Sequence, residues 1–138
     1  MQHDPAKVVL CREWLTTATS DLRAASILTK ASPPAIQQAL YFCQQCSEKT
    51  LKAFLVWHDV LPMKIHDLKI LGEECARIDS SLGNLIPQVA SLTAYGSMYR
   101  YPRGSEIEVT SEDADDAYRC ASDTMRVVLA RLPPEVFP

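Results

Sequence analysis

The sequence predicts an all-α protein, an up-and-down four-helix bundle with one extra short helix. Three observations support this fold class. Apolar residues recur at three- and four-residue spacing over long stretches, and breaks rich in proline and serine separate these stretches. No stretch of useful length alternates apolar and polar residues as a strand would. With 138 residues, no repeat and no linker, the chain is predicted to form a single domain spanning 1–138.

The first two predicted helices are long. Asp4-Pro5 supplies a side-chain cap followed by proline at the first helical position, so a helix should begin there and run to about Lys30. Ser32 and Pro33 are expected to cap the second helix, which should end near His58.

Three further helices are expected. A short one runs from about Asp67 to Ile78, and a long fourth helix carries an apolar face from Leu82 to Tyr99. Thr110 opens the last helix, because Asp113 follows it at the spacing of a capping box.

Composition and charge exclude several classes of protein. The formal net charge of −3 argues against a sequence-independent grip on nucleic acid, which needs clustered Lys and Arg. No apolar run approaches the roughly 20 residues of a membrane-spanning helix. The amino terminus does not resemble a secretion signal. Five cysteines are an odd number and suit reduced thiols, so a cytoplasmic location is predicted.

No metal or cofactor is predicted. His66-Asp67 suggests a hydrolase metal pair, but only His3 and His58 remain as further histidine ligands. We expect Asp67 to cap the short helix and His66 to bond the backbone of the turn. Cys43 and Cys46 form a C-x-x-C pair with no second pair, and they are interpreted as buried thiols.

Arg100 is the main candidate for ligand binding. Its guanidinium group can hold a phosphate bidentately while a base stacks on Tyr99 or Tyr101. Tyr95 and Arg103 complete this predicted phosphate or nucleotide site, with His66 and Asp67 as accessory residues. In the alternative interpretation Arg100 caps the end of its helix and the tyrosines pack in the core.

Several motifs in order resemble the HEPN family, helical domains often encoded beside minimal nucleotidyltransferases. They cover nearly the whole chain: Trp14…Asp21-Leu22, Gln44-Gln45…Glu48-Lys49, His66-Asp67-Leu68, Tyr95…Arg100-Tyr101-Pro102 and Thr110…Asp113-Ala114. The resemblance implies a helical fold, a homodimer and a nucleotidyltransferase partner. Gln44, Gln45, Glu48 and Lys49 are predicted at a helix–helix or subunit interface, or as simple i,i+4 pairs on the helix surface.

One departure from the family bears on activity. Ribonucleases of this family carry an Arg followed after four to six residues by a His, and no Arg of this sequence has that spacing. The leading hypothesis is therefore a non-enzymatic HEPN-type module that dimerises and binds a nucleotidyltransferase partner and a nucleotide or RNA phosphate. The alternatives are a metal-independent ribonuclease toxin using Arg100 with Tyr95 or His66, and a structural dimer without a ligand. Whether His66 and Arg100 share one site depends on how the short helix is placed in the bundle.

Overall fold

The structure is a computed structural model that describes residues 3–61, 64–97 and 108–138. Its α-helices are α1 (Pro5–Lys30), α2 (Ile36–Trp57), α3 (Leu68–Ile78), α4 (Ile86–Ala90) and α5 (Ser111–Leu129). Short 3₁₀ helices cover Ser80–Leu85, Thr93–Gly96 and Pro134–Val136. The described ranges contain no strand. The predicted all-α fold class is confirmed.

Side-chain caps determine where most helices begin. Asp4 accepts a hydrogen bond from the first turn of α1, and Thr110 and Asp113 form the predicted capping box of α5. The predicted cap of α2 is wrong, because α2 begins at Ile36 without a side-chain cap. Consecutive prolines explain this difference: each one disfavours helical geometry in the residue before it, which delays the helix beyond Pro33-Pro34.

The predicted long fourth helix is also wrong within the described residues. The chain forms only the five-residue α4, with 3₁₀ helices before and after it. Gly83 and Pro87 have poor helix propensity, and the Thr93 hydroxyl accepts a tertiary hydrogen bond from the Leu68 amide. Four residues of the predicted apolar face are nevertheless buried: Leu82, Leu85, Val89 and Leu92. Ile86 and Tyr95 of that face are half-buried, and Tyr99 lies outside the described residues.

Helix α2 lies at the centre of the fold. It packs against α1, α3, α5 and the Thr93–Gly96 turn, so most of its surface is covered. Its buried residues include polar and charged ones: Gln44, Ser47, Glu48, Thr50 and Lys52. Charged groups at such depth need partners, and these partners define the site described below. Within the described ranges, no helix combines the length and apolarity needed to cross a membrane.

Candidate functional site

A polar pocket of about 340 Å³ opens between α2, the start of α3 and the Thr93–Gly96 turn. We call it the α2–α3 pocket. Its lining residues are Gln44, Gln45, Glu48, His66, Asp67, Thr93, Gly96 and Ser97. Three segments that are distant in the sequence therefore build one recess.

Two contacts fix the walls of the α2–α3 pocket. The Leu68 amide donates to Thr93 Oγ1 at 3.2 Å, which ties the start of α3 to the 3₁₀ turn. A Cβ at Gly96 would lie only 3.2 Å from Gln44 Cδ. Glycine at this position therefore allows the turn to approach the side chain of Gln44 closely.

Glu48 is the central group of the pocket floor. Its side chain is 6% exposed and lies 3.2 Å from the ammonium group of Lys52, which is 5% exposed. The carboxylate also accepts from Gln44 Nε2 at 3.2 Å. Lys52 Nζ lies 5.6 Å from the centroid of the Trp14 ring. The buried carboxylate and ammonium groups thus compensate each other, as charges at this depth require.

The charge of Glu48 sets the direction of a hydrogen-bond chain. A carboxylate only accepts, so Gln44 must present its amide nitrogen to Glu48. The Gln44 carbonyl then accepts from Gln45 Nε2 at 2.7 Å. This leaves Gln45 Oε1 as the outer end of the chain. We call the series Gln45–Gln44–Glu48 the glutamine relay.

His66 lies above the buried carboxylate. Its Nδ1 is 3.2 Å from Glu48 Oε2, although the His66 side chain is 73% exposed. Because the partner is a carboxylate, Nδ1 carries the hydrogen, and Nε2 of the neutral ring is an acceptor. The predicted bond from His66 to the turn backbone is replaced by this contact. A carboxylate that orients an imidazole is also the arrangement of a general base.

Asp67 has two roles, at the start of α3 and in the lining of the α2–α3 pocket. One of its oxygens, Oδ1, accepts from the backbone amides of Lys69 and Ile70 at 2.9 and 3.3 Å. The predicted cap of α3 is therefore confirmed. The residue also lines the α2–α3 pocket, and the cap does not use its second oxygen, Oδ2.

The main residues predicted for phosphate binding are not tested by the structure, whereas the accessory residues His66 and Asp67 line the α2–α3 pocket. Tyr99, Arg100, Tyr101 and Arg103 lie outside the described residues. Tyr95 lines a separate cavity of about 210 Å³ with Asp113 and Asp116. Burial raises the pKa of Tyr95, and the two nearby carboxylates raise it further.

The four residues predicted at an interface have different environments. Gln44 and Glu48 are buried and hydrogen-bonded within the chain. Gln45 is half-buried, and Lys49 donates to Asp21 at 2.6 Å. An interface position stays a prediction, and Gln45 and Lys49 have the surface exposure to contribute to it.

Some site residues were not anticipated from the sequence. Lys52 lies four residues after Glu48, and this i,i+4 spacing was the available signal for the buried pair. Thr93, Gly96 and Ser97 join the pocket through tertiary packing alone. No local pattern marks them.

The buried cysteines have no role in the pocket. Burial raises the pKa of Cys43 and Cys46 to about 12, with smaller charge effects from nearby groups. Both thiols lie in the core, in agreement with the interpretation from the sequence. In the part of the chain that the structure describes, no group of three or more His, Cys, Asp or Glu side chains is arranged to hold a metal.

Comparison with known families identifies the fold. The model of the HEPN domain matches residues 11–131, which is most of the chain. The chain belongs to the HEPN family. The HEPN fold is also found in the crystal structure of ST0689, an archaeal HEPN homologue, with a TM-score of 0.70 and 22% identity. That match covers 88% of this chain and 96% of the other.

A curated relative of this HEPN domain carries a functional name. The protein named "Putative toxin MJ1304" from Methanocaldococcus jannaschii is 27% identical over 145 residues. The match covers 93% of this chain and 91% of the relative. The two proteins are therefore similar over nearly their whole lengths.

Proposed function

We propose that this HEPN domain is a cytoplasmic, dimeric binding module that holds one nucleotide, free or within RNA, in the α2–α3 pocket. The observation that carries this proposal is the pocket itself, whose floor is a hydrogen-bonded network around Glu48. Its volume of about 340 Å³ lies at the lower end of the roughly 300–1,000 Å³ of small-molecule pockets. A small polar ligand of nucleotide size fits that range.

The charges of the pocket favour the base and sugar over the phosphate. Among the described residues, no Lys or Arg lines the pocket, and the Glu48 carboxylate is compensated by Lys52. Asp67 adds a carboxylate that repels a phosphate. The phosphate is therefore proposed to contact Arg100, which follows the lining residue Ser97 by three positions in the sequence.

Titration calorimetry with AMP, GMP and a short RNA tests the nucleotide proposal. His66→Leu should weaken binding by about fivefold or more, because leucine carries no acceptor in place of the imidazole Nε2. His58→Leu is the matched control, since His58 is exposed and does not line the pocket. Absence of binding to wild type, or equal effects of the two variants, would contradict the proposal.

The partner part of the proposal rests on the family. HEPN domains are often encoded beside minimal nucleotidyltransferases, and this chain belongs to that family. Co-expression with the product of a neighbouring nucleotidyltransferase gene should yield a complex that stays together during gel filtration. Separate elution of the two proteins would contradict a stable partnership.

Metal-independent ribonuclease activity, as in a toxin, is the second candidate function. Glu48 orients His66 with Nε2 available, as a general base requires, and a relative is named "Putative toxin MJ1304". Wild type should then cleave labelled RNA in the presence of EDTA, while His66→Gln should not. His58→Gln should cleave as wild type does. Cleavage lost equally in both variants would remove His66 from the mechanism.

A further inference from the structure

The polar atoms left for a ligand in the described part of the α2–α3 pocket include three acceptors, beside the hydroxyl groups of Thr93 and Ser97, which can donate or accept. Gln45 Oε1 ends the glutamine relay, and the His66 ring, whose Nδ1 contacts Glu48, offers Nε2 as an acceptor in its neutral form. Asp67 adds the carboxylate oxygen that the cap of α3 leaves over. A ligand that satisfies these atoms must bring N–H or O–H donors.

This pattern of acceptors is fixed by buried groups. Lys52 holds the Glu48 carboxylate, and a carboxylate cannot donate to Gln44. Turning the Gln45 amide over would place its carbonyl against the carbonyl of Gln44, which is 2.7 Å away from the present donor. Backbone amides likewise fix the orientation of the Asp67 carboxylate, because they donate to its Oδ1. These atoms therefore face the pocket as acceptors even when no ligand is bound.

We propose that the pocket selects a nucleotide by the exocyclic amino group of its base. Adenine, guanine and cytosine carry such a group, which donates hydrogen bonds, whereas hypoxanthine and uracil present a carbonyl at the equivalent edge or lack the group. A carbonyl facing Gln45 Oε1 or Asp67 leaves acceptors opposed and unpaired. This inference rests on the proposed nucleotide-binding function and adds the class of base that the pocket accepts.

A cationic side chain of a partner protein is the competing occupant. The charges of the described lining do not favour it, because Lys52 already compensates Glu48, and backbone amides partly compensate Asp67. An acceptor-rich wall with little uncompensated charge suits a neutral amino group better than a guanidinium group. N-acetyl-arginine amide is therefore included as a probe in the test.

The test compares AMP, GMP and IMP by titration calorimetry. IMP lacks the amino groups that the other two nucleotides carry. We expect AMP or GMP to bind wild type at least about fivefold more tightly than IMP, which corresponds to one net hydrogen bond. Equal or tighter binding of IMP overturns the inference, as does tighter binding of the arginine amide than of any nucleotide.

Two variants connect the preference to the named atoms. Asp67→Asn keeps a good helix cap but turns an amide donor toward the pocket. The ratio of the dissociation constant of IMP to that of AMP or GMP should therefore fall below half its wild-type value. Gln45→Leu removes the outer end of the relay and should have the same effect. This second variant provides the test if Asp67→Asn does not fold. Asp4→Asn changes the cap of α1, which does not line this pocket, and should leave the preference unchanged.

The outcomes separate the two proposals. A preference that persists in both Asp67→Asn and Gln45→Leu, with folding confirmed by circular dichroism, overturns the base-selection inference and leaves nucleotide binding in place. If wild type binds none of the three nucleotides and no short RNA, the proposed function itself fails.

Discussion

Glu48 and His66 join the interior of this HEPN domain to its surface through one hydrogen bond. The Glu48 side chain is 6% exposed and the His66 side chain is 73% exposed, yet His66 Nδ1 lies 3.2 Å from Glu48 Oε2. The other partners of Glu48 are the Lys52 ammonium and the amide of Gln44. A single buried carboxylate thus orients both the ring and the relay that face the pocket.

Removing this carboxylate should destabilise the fold strongly. Glu48→Ala leaves the ammonium group of Lys52, which is 5% exposed, without its charge partner. We expect a loss of about 3–5 kcal/mol in the free energy of unfolding, measured by urea denaturation. Glu73→Ala is the control, because the Glu73 side chain is 43% exposed and pairs with Lys69 at 3.9 Å. It should change stability by less than about 0.5 kcal/mol. Similar losses in the two variants would contradict the buried charge pair.

The core thiols should be unreactive in the native state. Burial raises the pKa of Cys43, Cys46 and Cys75 to about 12. Only the thiolate reacts readily with Ellman's reagent, so these three thiols should react at pH 8 only after denaturation in urea. Fast reaction of all five cysteines in the folded protein would contradict this core.

The same pKa shifts predict alkaline destabilisation. A raised pKa in the folded state means that the unfolded chain loses thiol protons first, from its ordinary value of 9.0. The free energy of unfolding should therefore be steady up to about pH 8 and fall between pH 9 and 12. Cys43→Ala should reduce the slope of that fall, and an unchanged slope would contradict the assignment.

Arg100 should contribute to nucleotide binding only through its contact with the phosphate. Arg100→Lys removes the bidentate guanidinium group, and we expect AMP binding to weaken by about tenfold, with adenosine binding unchanged. Arg126→Lys is a control, because Arg126 is exposed on α5 and pairs with Asp123. Equal weakening of AMP and adenosine would assign Arg100 to folding, as a helix cap, and not to phosphate binding.

The proposed homodimer makes a prediction about mass. Light scattering should give about twice 15.4 kDa. Leu10 and Leu61 are 42% and 76% exposed beside one apolar recess, which supports an interface there. Leu61→Asp should then yield the monomer mass with unchanged helicity. Ile70→Asp should leave the dimer intact, because Ile70 is 44% exposed on α3 and lies outside this recess. A monomeric wild type at micromolar concentration would contradict the dimer.

Much of the fold could be predicted because apolar spacing and caps act locally. Asp4, Asp67 and Thr110 mark helix starts that the structure confirms. The region around α4 could not be predicted in the same way. Its apolar residues have helical spacing, but weak propensity at Gly83 and the tertiary bond to Thr93 favour shorter turns.

The sequence indicated several of the site residues, but it grouped them differently from the structure. Glu48 was assigned to an interface and His66 to an accessory position, and the structure brings the two into contact. Spacing on a helix shows which residues share a face but not how deep that face lies, so a buried carboxylate is hard to distinguish from a surface one. The Thr93–Gly96 turn reaches the pocket only through the packed chain.

The glutamine relay has a consequence for how recognition can change in this family. An amide at position 48 would donate as well as accept, so Gln44 and Gln45 would no longer be held in one orientation. The atom presented at the rim could then switch from acceptor to donor, although every residue at the rim stayed the same. Two HEPN chains with identical residues at the opening of this pocket can therefore bind different ligands. The substitution that separates them lies at the buried position 48, which the ligand does not contact.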